Sequence, residues 1–386
     1  MKITKLETLR LPEFPLSCFL RVYTDCGLIG LGESTNQAGT IEGAVHDFLA
    51  PIALGQDARD IEKLWNRLYA QANFQGCAGA ELRAMSALDI ALWDLLGKAS
   101  GLPVYRLLGG KVRDSVPIYN TCGSHGGYRT GRMDNQWFME DAGTLAEDLL
   151  KSGIHAMKIW PLDGLSAPMQ GQHLLKSDLM RGLEPFRKIR DAVGDEMEIA
   201  VECHSCWNLP TAIRIAEALQ EFNIKWLEDP IMVDNVDNLA ALRQKVNVPI
   251  LASERLFTRM QYLPLFAAHG TDIVMVDLSW TGGLTEGRKI AALADAHRLP
   301  VTTHNCGGPV LTLACAHFNL STITAIEQET VRAIYRTFPD LISTDIGIEN
   351  GRIYVDDAPG LGVEFKPEVF GRTDIVRRES AIEEAI

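Results

Sequence analysis

The chain has 386 residues, of which 46% are hydrophobic and 23% are charged, so it is long enough for a large buried core and for two domains. Its formal net charge of -13, and the lack of a basic cluster interleaved with aromatic residues, argue against nucleic acid as a partner. The N-terminal segment lacks the apolar core of a signal peptide, and no apolar run approaches the ~20 residues of a membrane span, so we expect a cytoplasmic protein without a membrane partner.

The first part of the chain changes from strand-like alternation to helical periodicity. Three runs alternate apolar and polar residues, namely KITKLETLRL, FLRVYTD and LIGLGES. Segments with apolar residues at intervals of three and four follow, and AELRAMSALDIALWDLLGKASG ends in Gly101 with Pro103 just beyond, as helices commonly do. Strands followed by helices predict an α+β domain over residues 1–112.

From residue 113 onwards, short apolar strands alternate with amphipathic segments. Eight candidate strands are VPIYNT, HAMKIW, MEIAVE, IKWLED, PILASE, DIVMVD, PVTTHN and TAIEQE. Eight alternations without a glycine-rich nucleotide loop are typical of a (β/α)₈ barrel rather than an open sheet. We therefore predict a barrel domain over residues 113–345 and a segment, residues 346–386, that returns to the first domain.

Ionisable residues recur at the strand ends, where barrel enzymes carry their catalytic groups. They are Lys158, Glu202 with His204, Glu228, Glu254, Asp277, His304, and Glu327 with Glu329. From Glu202 onwards the spacing is close to one strand and helix at each step. A single such residue is more often a helix cap or a solvated side chain. A whole set in register predicts one shared site.

The segment VECHSCW offers thiols as well as polar groups. Alternation along the strand places Glu202 and His204 on one face and Cys203 on the other. A structural zinc site would need two further ligands at matching spacing, and a thioredoxin-like thiol would stand at a helix N-terminus. We therefore expect Cys203 to be a small buried hydrophobe and Cys206 to have no assigned role.

Three carboxylates on adjacent strands would repel one another in a barrel mouth. Glu202, Glu228 and Glu254 therefore require a compensating cation. Ligation by oxygen alone favours a hard ion, and we predict Mg²⁺ over Zn²⁺.

These motifs resemble the enolase superfamily, specifically the mandelate racemase/muconate lactonizing enzyme family and its galactonate dehydratase-like group. The resemblance extends over nearly the whole chain, through MKITKLETLRLP, LGES, GQDARDIEKLW, SALDIALWDLLGK, VECHSCW, WLEDP, ASERLFTR, VDLSWTGGLTE, THNCGGP and QET. It implies a modified TIM barrel, (β/α)₇β, with an N-terminal α+β capping domain. It also implies a homo-oligomer and a small sugar acid as substrate.

The resemblance further implies roles for individual residues. Glu202, Glu228 and Glu254 would bind Mg²⁺, with Glu202 where the family commonly has Asp, and Asp277 would form a dyad with His304, the base that removes the proton alpha to a carboxylate. Glu329 would lie beside the substrate carboxylate, although a slip of one layer to Glu327 is an alternative. His204 would protonate the departing hydroxyl.

One departure from the family selects among its reactions. Racemases and cycloisomerases of the family usually carry Lys-x-Lys after the second barrel strand, whereas this chain has Lys158 and then Trp160, which cannot accept a proton. Lys158 would contact the substrate or a carboxylate that binds the metal. Trp160 would line the pocket or belong to the hydrophobic core. We therefore favour a lyase that dehydrates a sugar acid to a 2-keto-3-deoxy acid.

The sequence is also compatible with two other functions. A cycloisomerase acting on an anhydro-sugar acid or lactone would use the same enediolate, and a non-catalytic descendant would only bind sugar acids. Long polar stretches after the first two barrel strands, residues 122–137 and 161–178, leave the substrate's identity undetermined. In the first stretch, His125, Tyr128 and Arg129 are candidates for substrate contacts or for simple solvation.

Overall fold

A computed structural model of the chain describes residues 1–123 and 133–382. The N-terminal part is built on an antiparallel sheet whose first strands are β1 (Ile3–Arg10), β2 (Ser17–Thr24) and β3 (Ile29–Thr35). The turn between β2 and β3 closes with a hydrogen bond from the Gly27 N–H to the Thr24 carbonyl. Gly27 has a φ of 82°, a left-handed conformation that glycine adopts without a steric penalty.

Helices of the N-terminal domain cover this sheet. They are Ala38–Gly43, Ala44–Leu49, Ala50–Ala53, Ile61–Asn73, Ala80–Ser100 and Val104–Leu107. The longest one lies directly on β3, because a Cβ atom at Gly32 would come within 1.9 Å of the Ala87 carbonyl oxygen. Glycine at this position therefore sets how closely the helix approaches the sheet.

The same helix also contacts the barrel. The indole N–H of Trp93 donates to the Thr285 hydroxyl over 2.9 Å, and the Thr285 backbone N–H donates to Asp89 over 2.9 Å. From β3, buried Glu33 accepts backbone N–H bonds from Gly308 and Leu311 at the start of a barrel helix. Polar contacts thus fix the capping domain over one end of the barrel.

Eight parallel strands form the barrel. They are β4 (Val116–Thr121), β5 (Ala156–Ile159), β6 (Glu198–Glu202), β7 (Trp226–Glu228), β8 (Ile250–Ala252), β9 (Ile273–Val276), β10 (Val301–Thr303) and β11 (Ala325–Thr330). Each strand pairs with its neighbour in chain order, and pairing of β11 with β4 closes the barrel. The predicted barrel with an N-terminal capping domain is confirmed.

Bulky and small side chains alternate inside the barrel and fill it, as is usual in this fold. The interior cluster comprises Tyr119, Ala156, Ala200, Trp226, Leu251 and Met275. The Tyr119 and Trp226 rings meet edge to face with centroids 5.3 Å apart. The barrel is therefore a packed core, and polar chemistry is confined to its ends.

Helices surround the barrel and connect its strands. The principal ones are Asp134–Lys151, Lys176–Gly182, Glu184–Val193, Leu209–Leu219, Val236–Lys245, Thr258–Ala267, Gly283–Ala296 and Pro309–Ser321. Shorter turns of helix are Asp163–Leu165, Ala167–Met169, Gly194–Glu196, Gln220–Phe222, Arg332–Tyr335, Phe338–Leu341 and Pro367–Phe370. None of the helices in the described ranges is long and apolar enough to cross a membrane.

The C-terminal segment contacts both domains. The hairpin of β12 (Gly347–Glu349) and β13 (Arg352–Tyr354) pairs antiparallel with barrel strand β4. The last strand, β14 (Val376–Ala381), pairs antiparallel with β1 and completes the sheet of the capping domain in the order β14-β1-β2-β3.

Candidate active site

A cavity of about 750 Å³ opens between the barrel and the capping domain. Its floor consists of residues at the C-terminal ends of the barrel strands, including Lys158, Glu202, Glu254, His304 and Glu329. The capping domain contributes Thr35, Asn36 and Arg83. The cavity therefore lies at the end of the barrel where the sequence places its ionisable residues.

Three buried carboxylates from adjacent strands converge at this floor. Glu202, Glu228 and Glu254 each offer an oxygen, and these oxygens all lie within 4.8 Å of one another. Backbone N–H groups of Cys203 and His204 donate to Glu202 over 3.0 and 2.6 Å, and the Trp226 indole donates to Glu228 over 3.0 Å. These hydrogen bonds orient the carboxylates of Glu202 and Glu228.

The charge at this cluster suits a divalent cation. Burial, only partly offset by Lys158, raises the pKa of Glu202 to about 7. Burial and the neighbouring Glu202 raise the pKa of Glu228 well above its usual range. Carboxylate oxygens alone, held at this spacing and short of positive charge, fit a hard ion such as Mg²⁺.

His304 and Asp277 form a buried pair at the ends of β10 and β9. The Nδ1–H of His304 donates to Asp277 Oδ2 over 2.6 Å, and Asp277 Oδ1 accepts from the backbone N–H and hydroxyl of Ser279. The other ring nitrogen of His304, Nε2, lies 3.3 Å from Glu254 and 3.6 Å from Glu329. Burial by itself would lower the pKa of His304, but the carboxylates of Glu254 and Glu329 raise it well above its ordinary value.

Lys158 forms ion pairs with three carboxylates of the cavity floor. Its Nζ lies 2.6 Å from Glu228, 2.8 Å from Glu329 and 3.5 Å from Glu202. Burial opposes the charge of Lys158, yet Glu228 and Glu329 raise its pKa well above its ordinary value. Lys158 is therefore a fixed positive charge at the centre of the site.

Glu329, rather than Glu327, lies in this cavity. Glu329 accepts hydrogen bonds from the Thr121 hydroxyl and, over 2.9 Å, from the Asn305 backbone N–H. Although burial alone would raise it, Lys158 and His304 hold the pKa of Glu329 below its usual range. Glu327 instead pairs with Lys225 over 2.9 Å and lines a different cavity, at the other end of β11.

His204 reaches the same cavity by a turn of the backbone. Strand β6 ends at Glu202, and His204 has a φ of 44°, so strict strand alternation no longer determines its direction. Its Nδ1 is hydrogen-bonded to the carboxylate of Asp163, and its ring meets that of Trp160 edge to face with centroids 5.7 Å apart. The cavity thus carries two imidazoles, each paired with its own carboxylate.

Comparison with known proteins agrees with this architecture. Residues 16–109 match the N-terminal domain of the mandelate racemase/muconate lactonizing enzyme family, and residues 141–369 match the enolase C-terminal domain-like family. The chain belongs to the mandelate racemase/muconate lactonizing enzyme family of the enolase superfamily. The resemblance read from its motifs, including its galactonate dehydratase-like character, is confirmed.

Relatives within this family span almost the entire chain. A D-galactonate dehydratase of Xanthomonas euvesicatoria is 33% identical over 97% of this chain and 94% of its own length. A D-xylonate dehydratase of Haloferax volcanii is 31% identical over 89% of this chain and 82% of its own length. An enolase of the mandelate racemase subgroup from Agrobacterium tumefaciens is 42% identical, covers 99% of both chains and superposes with a TM-score of 0.90.

Several residues that line or border the cavity are not identified by the sequence analysis. Asp163, the partner of His204, lies in the stretch 161–178 that we expect to border the site, but nothing in its spacing indicates that it would contact His204. Cys306, which lies within the motif THNCGGP, and Arg83 also line the cavity, although the sequence analysis assigns no role to either. His125, Tyr128 and Arg129 lie outside the described residues.

The thiols of VECHSCW take no part in the cavity. Cys203 is fully buried in the hydrophobic core, and Cys206 is half-buried with its sulfur near the His204 carbonyl. Both are free thiols. Trp160, which follows Lys158 by two residues, lines the cavity and packs against Phe138 as well as His204.

Proposed function

We propose that this protein is a Mg²⁺-dependent sugar-acid dehydratase, a lyase that removes water from a polyhydroxy acid to give a 2-keto-3-deoxy acid. The observation that carries the proposal is the presence of two imidazoles, His304 and His204, on one cavity beside the cluster of Glu202, Glu228 and Glu254. Elimination needs both a base and an acid, and this cavity offers one candidate for each. Relatives named D-galactonate and D-xylonate dehydratase add support.

His304 is the proposed base. Its Nε2 is directed towards the cavity. Asp277 accepts a hydrogen bond from Nδ1 and so fixes the tautomer and the orientation of the ring. Because neighbouring carboxylates raise the pKa of His304, Nε2 must first release its own proton to solvent, and it then takes the proton from the carbon next to the substrate carboxylate. The electron pair of that C–H bond first moves onto the substrate carboxylate, giving an enediolate, and then forms a carbon–carbon double bond when the neighbouring C–O bond breaks.

The substrate carboxylate must carry negative charge while that proton is removed. Glu202, Glu228 and Glu254 would hold a Mg²⁺ ion, which would supply positive charge for the substrate carboxylate. Lys158 adds a fixed positive charge from within the same cluster, 2.8 Å from Glu329. Glu329 contacts Lys158 and His304 and so holds both in position on the carboxylate side of the substrate.

His204 is the proposed acid. Hydroxide is a poor leaving group, so the departing oxygen needs a proton as the C–O bond breaks. Asp163 binds Nδ1 of His204 and leaves Nε2 to deliver that proton. Water leaves, and the enol that remains converts to the 2-keto acid.

The test is a screen of sugar acids with the purified protein and Mg²⁺, in which 2-keto-3-deoxy products are detected chemically and by mass. We expect at least one acid to lose water, and the activity to disappear with a chelator or with His304→Asn. A product of unchanged mass would support the cycloisomerase instead. Binding of sugar acids without exchange of the α-proton for deuterium would support a non-catalytic binder and would overturn the proposal.

A further inference from the structure

Arg83 is a cation of the capping domain that faces the reaction cavity. It lies near the start of the helix Ala80–Ser100, is only partly exposed, and lines the cavity together with Thr35 and Asn36. One nitrogen of its guanidinium donates to the Thr35 carbonyl over 2.8 Å. The group has further N–H donors in a planar fork, the geometry that suits carboxylates and phosphates.

The other cations of the cavity are already matched by carboxylates. Lys158 contacts Glu228, Glu329 and Glu202, and Arg255 lies 3.3 Å from Asp229. Within residues 1–123 and 133–382, Arg83 forms no ion pair with any carboxylate. Asp277 and Glu254 act on this partly buried guanidinium only from beyond ion-pair distance, so a ligand that brings an anion into contact with it is stabilised.

Packing determines where this positive charge stands. The guanidinium carbon of Arg83 lies 3.9 Å from the centre of the Trp280 ring, and the same ring lies 5.0 Å, centre to centre, from the imidazole of His304. The Trp280 indole donates to the Thr35 hydroxyl over 3.0 Å, which fixes the stack. The Trp280 ring therefore lies between Arg83 and His304, the proposed base, and Arg83 is on the side of the capping domain.

We propose that Arg83 selects substrates that carry a second anionic group at the end remote from the reacting carboxylate. The inference rests on the proposed function, in which Lys158 and the cluster of three glutamates hold the reacting carboxylate. With its α-carbon at His304, an acid extends towards the capping domain and brings its far end to Arg83. A terminal carboxylate, as in an aldaric acid, or a terminal phosphate provides the required chemistry.

The experiment compares six-carbon aldarates, the aldonates of matching configuration and their 6-phosphates on the wild-type protein, Arg83→Met and Arg83→Lys. Methionine keeps an unbranched stem against Trp280 without charge, and lysine keeps the charge without the fork. We expect wild type to prefer a dianionic acid, and Arg83→Met to lower kcat/KM for that acid by about 10- to 100-fold, the range of a charge-assisted hydrogen bond. The matching aldonate should change by less than about 3-fold, and Arg83→Lys should fall between the two. The class of dianion affected identifies the source of the charge as carboxylate or phosphate.

Equal losses for aldonate and dianion in Arg83→Met would overturn the inference, as would a wild-type preference for the aldonate. Binding measured by calorimetry in a His304→Asn background, with and without Arg83→Met, separates this inference from the reaction itself. A dianion preference that depends on Arg83, without dehydration of any acid by wild type, would reject the proposed function and keep the inference. If the wild type dehydrates aldonates and Arg83→Met does not change its preference between aldonates and dianions, the proposed function would stand and the inference about Arg83 would be rejected.

Discussion

Asp163 and His204 are hydrogen-bonded to each other, although they belong to loops that follow different barrel strands. The His204 side chain is 40% exposed and that of Asp163 is 19% exposed, so the pair lies at the mouth of the cavity rather than in its floor. The buried pair of Asp277 and His304 lies deeper. The site thus places a sheltered imidazole and an accessible one around the same space.

We expect Asp163→Asn to lower kcat by about 10- to 100-fold with a smaller change in KM, because asparagine keeps the shape but removes the charge that orients His204. The measurement is steady-state kinetics on the acid identified by the screen, with a pH profile of kcat. Asp195→Asn is the matched control, since Asp195 is 81% exposed in the short helical turn Gly194–Glu196 before β6. Equal kinetics in Asp163→Asn and wild type would show that this pair does not support the reaction.

Substitutions of the two histidines should have different effects on the reaction. His304→Asn should abolish both product formation and exchange of the substrate's α-proton with deuterium, because it removes the base. His204→Asn should lower product formation by at least about 100-fold but retain α-proton exchange, because only loss of the hydroxyl needs the acid. Nuclear magnetic resonance in deuterated water measures both. Loss of exchange in His204→Asn would assign this residue to proton removal or substrate binding instead.

Magnesium affinity should depend on pH near neutrality. In the metal-free site the pKa of Glu202 is raised to about 7 and that of Glu228 lies well above its usual range, so protons occupy these carboxylates below that pH and must be displaced. The apparent affinity should therefore fall as the pH drops below about 7, roughly tenfold per pH unit for each proton displaced. Calorimetry in buffers of different protonation enthalpy measures the protons released. An affinity that is constant from about pH 6 to pH 8 would contradict the prediction.

A histidine remote from the cavity should make stability depend on pH. His317 is fully buried; its Nδ1 accepts the Tyr105 N–H over 3.1 Å, its Nε2 bonds the Leu361 carbonyl over 3.2 Å, and burial lowers its pKa to about 4. The unfolded chain binds this proton near pH 6.5 and the folded chain only near 4. The stabilising contribution is therefore complete above about 6.5 and declines as the pH falls towards 4, by at most about 3 kcal/mol.

His317→Gln tests this contribution, because glutamine offers an acceptor and a donor but does not titrate. We expect the midpoint of thermal unfolding of wild type to exceed that of His317→Gln most at about pH 7, and the difference to shrink at about pH 5. The other titrating groups are the same in both proteins, so the difference isolates His317. Curves that run parallel with pH would show that His317 does not titrate between the two states.

The sequence predicted the barrel and the floor of its cavity because both depend on local patterns. Strand and helix alternate within short stretches, and Glu202, Glu228, Glu254, Asp277 and His304 each stand at the end of an apolar strand. Parallel strands of similar length bring such ends to one level. The domain limits at residues 112 and 345, homo-oligomerisation and a cytoplasmic location stay predictions.

Only the tertiary structure decided which residues complete the site. Glu327 and Glu329 share a face of β11, and the packed layer that includes Tyr119 and Trp226 confines Glu327 to the other end of the barrel. Local alternation cannot tell one layer from the next. His204 turns into the cavity through a left-handed backbone conformation, and Arg83 reaches it from another domain. These placements depend on how separate elements pack against each other, which no spacing along the chain specifies.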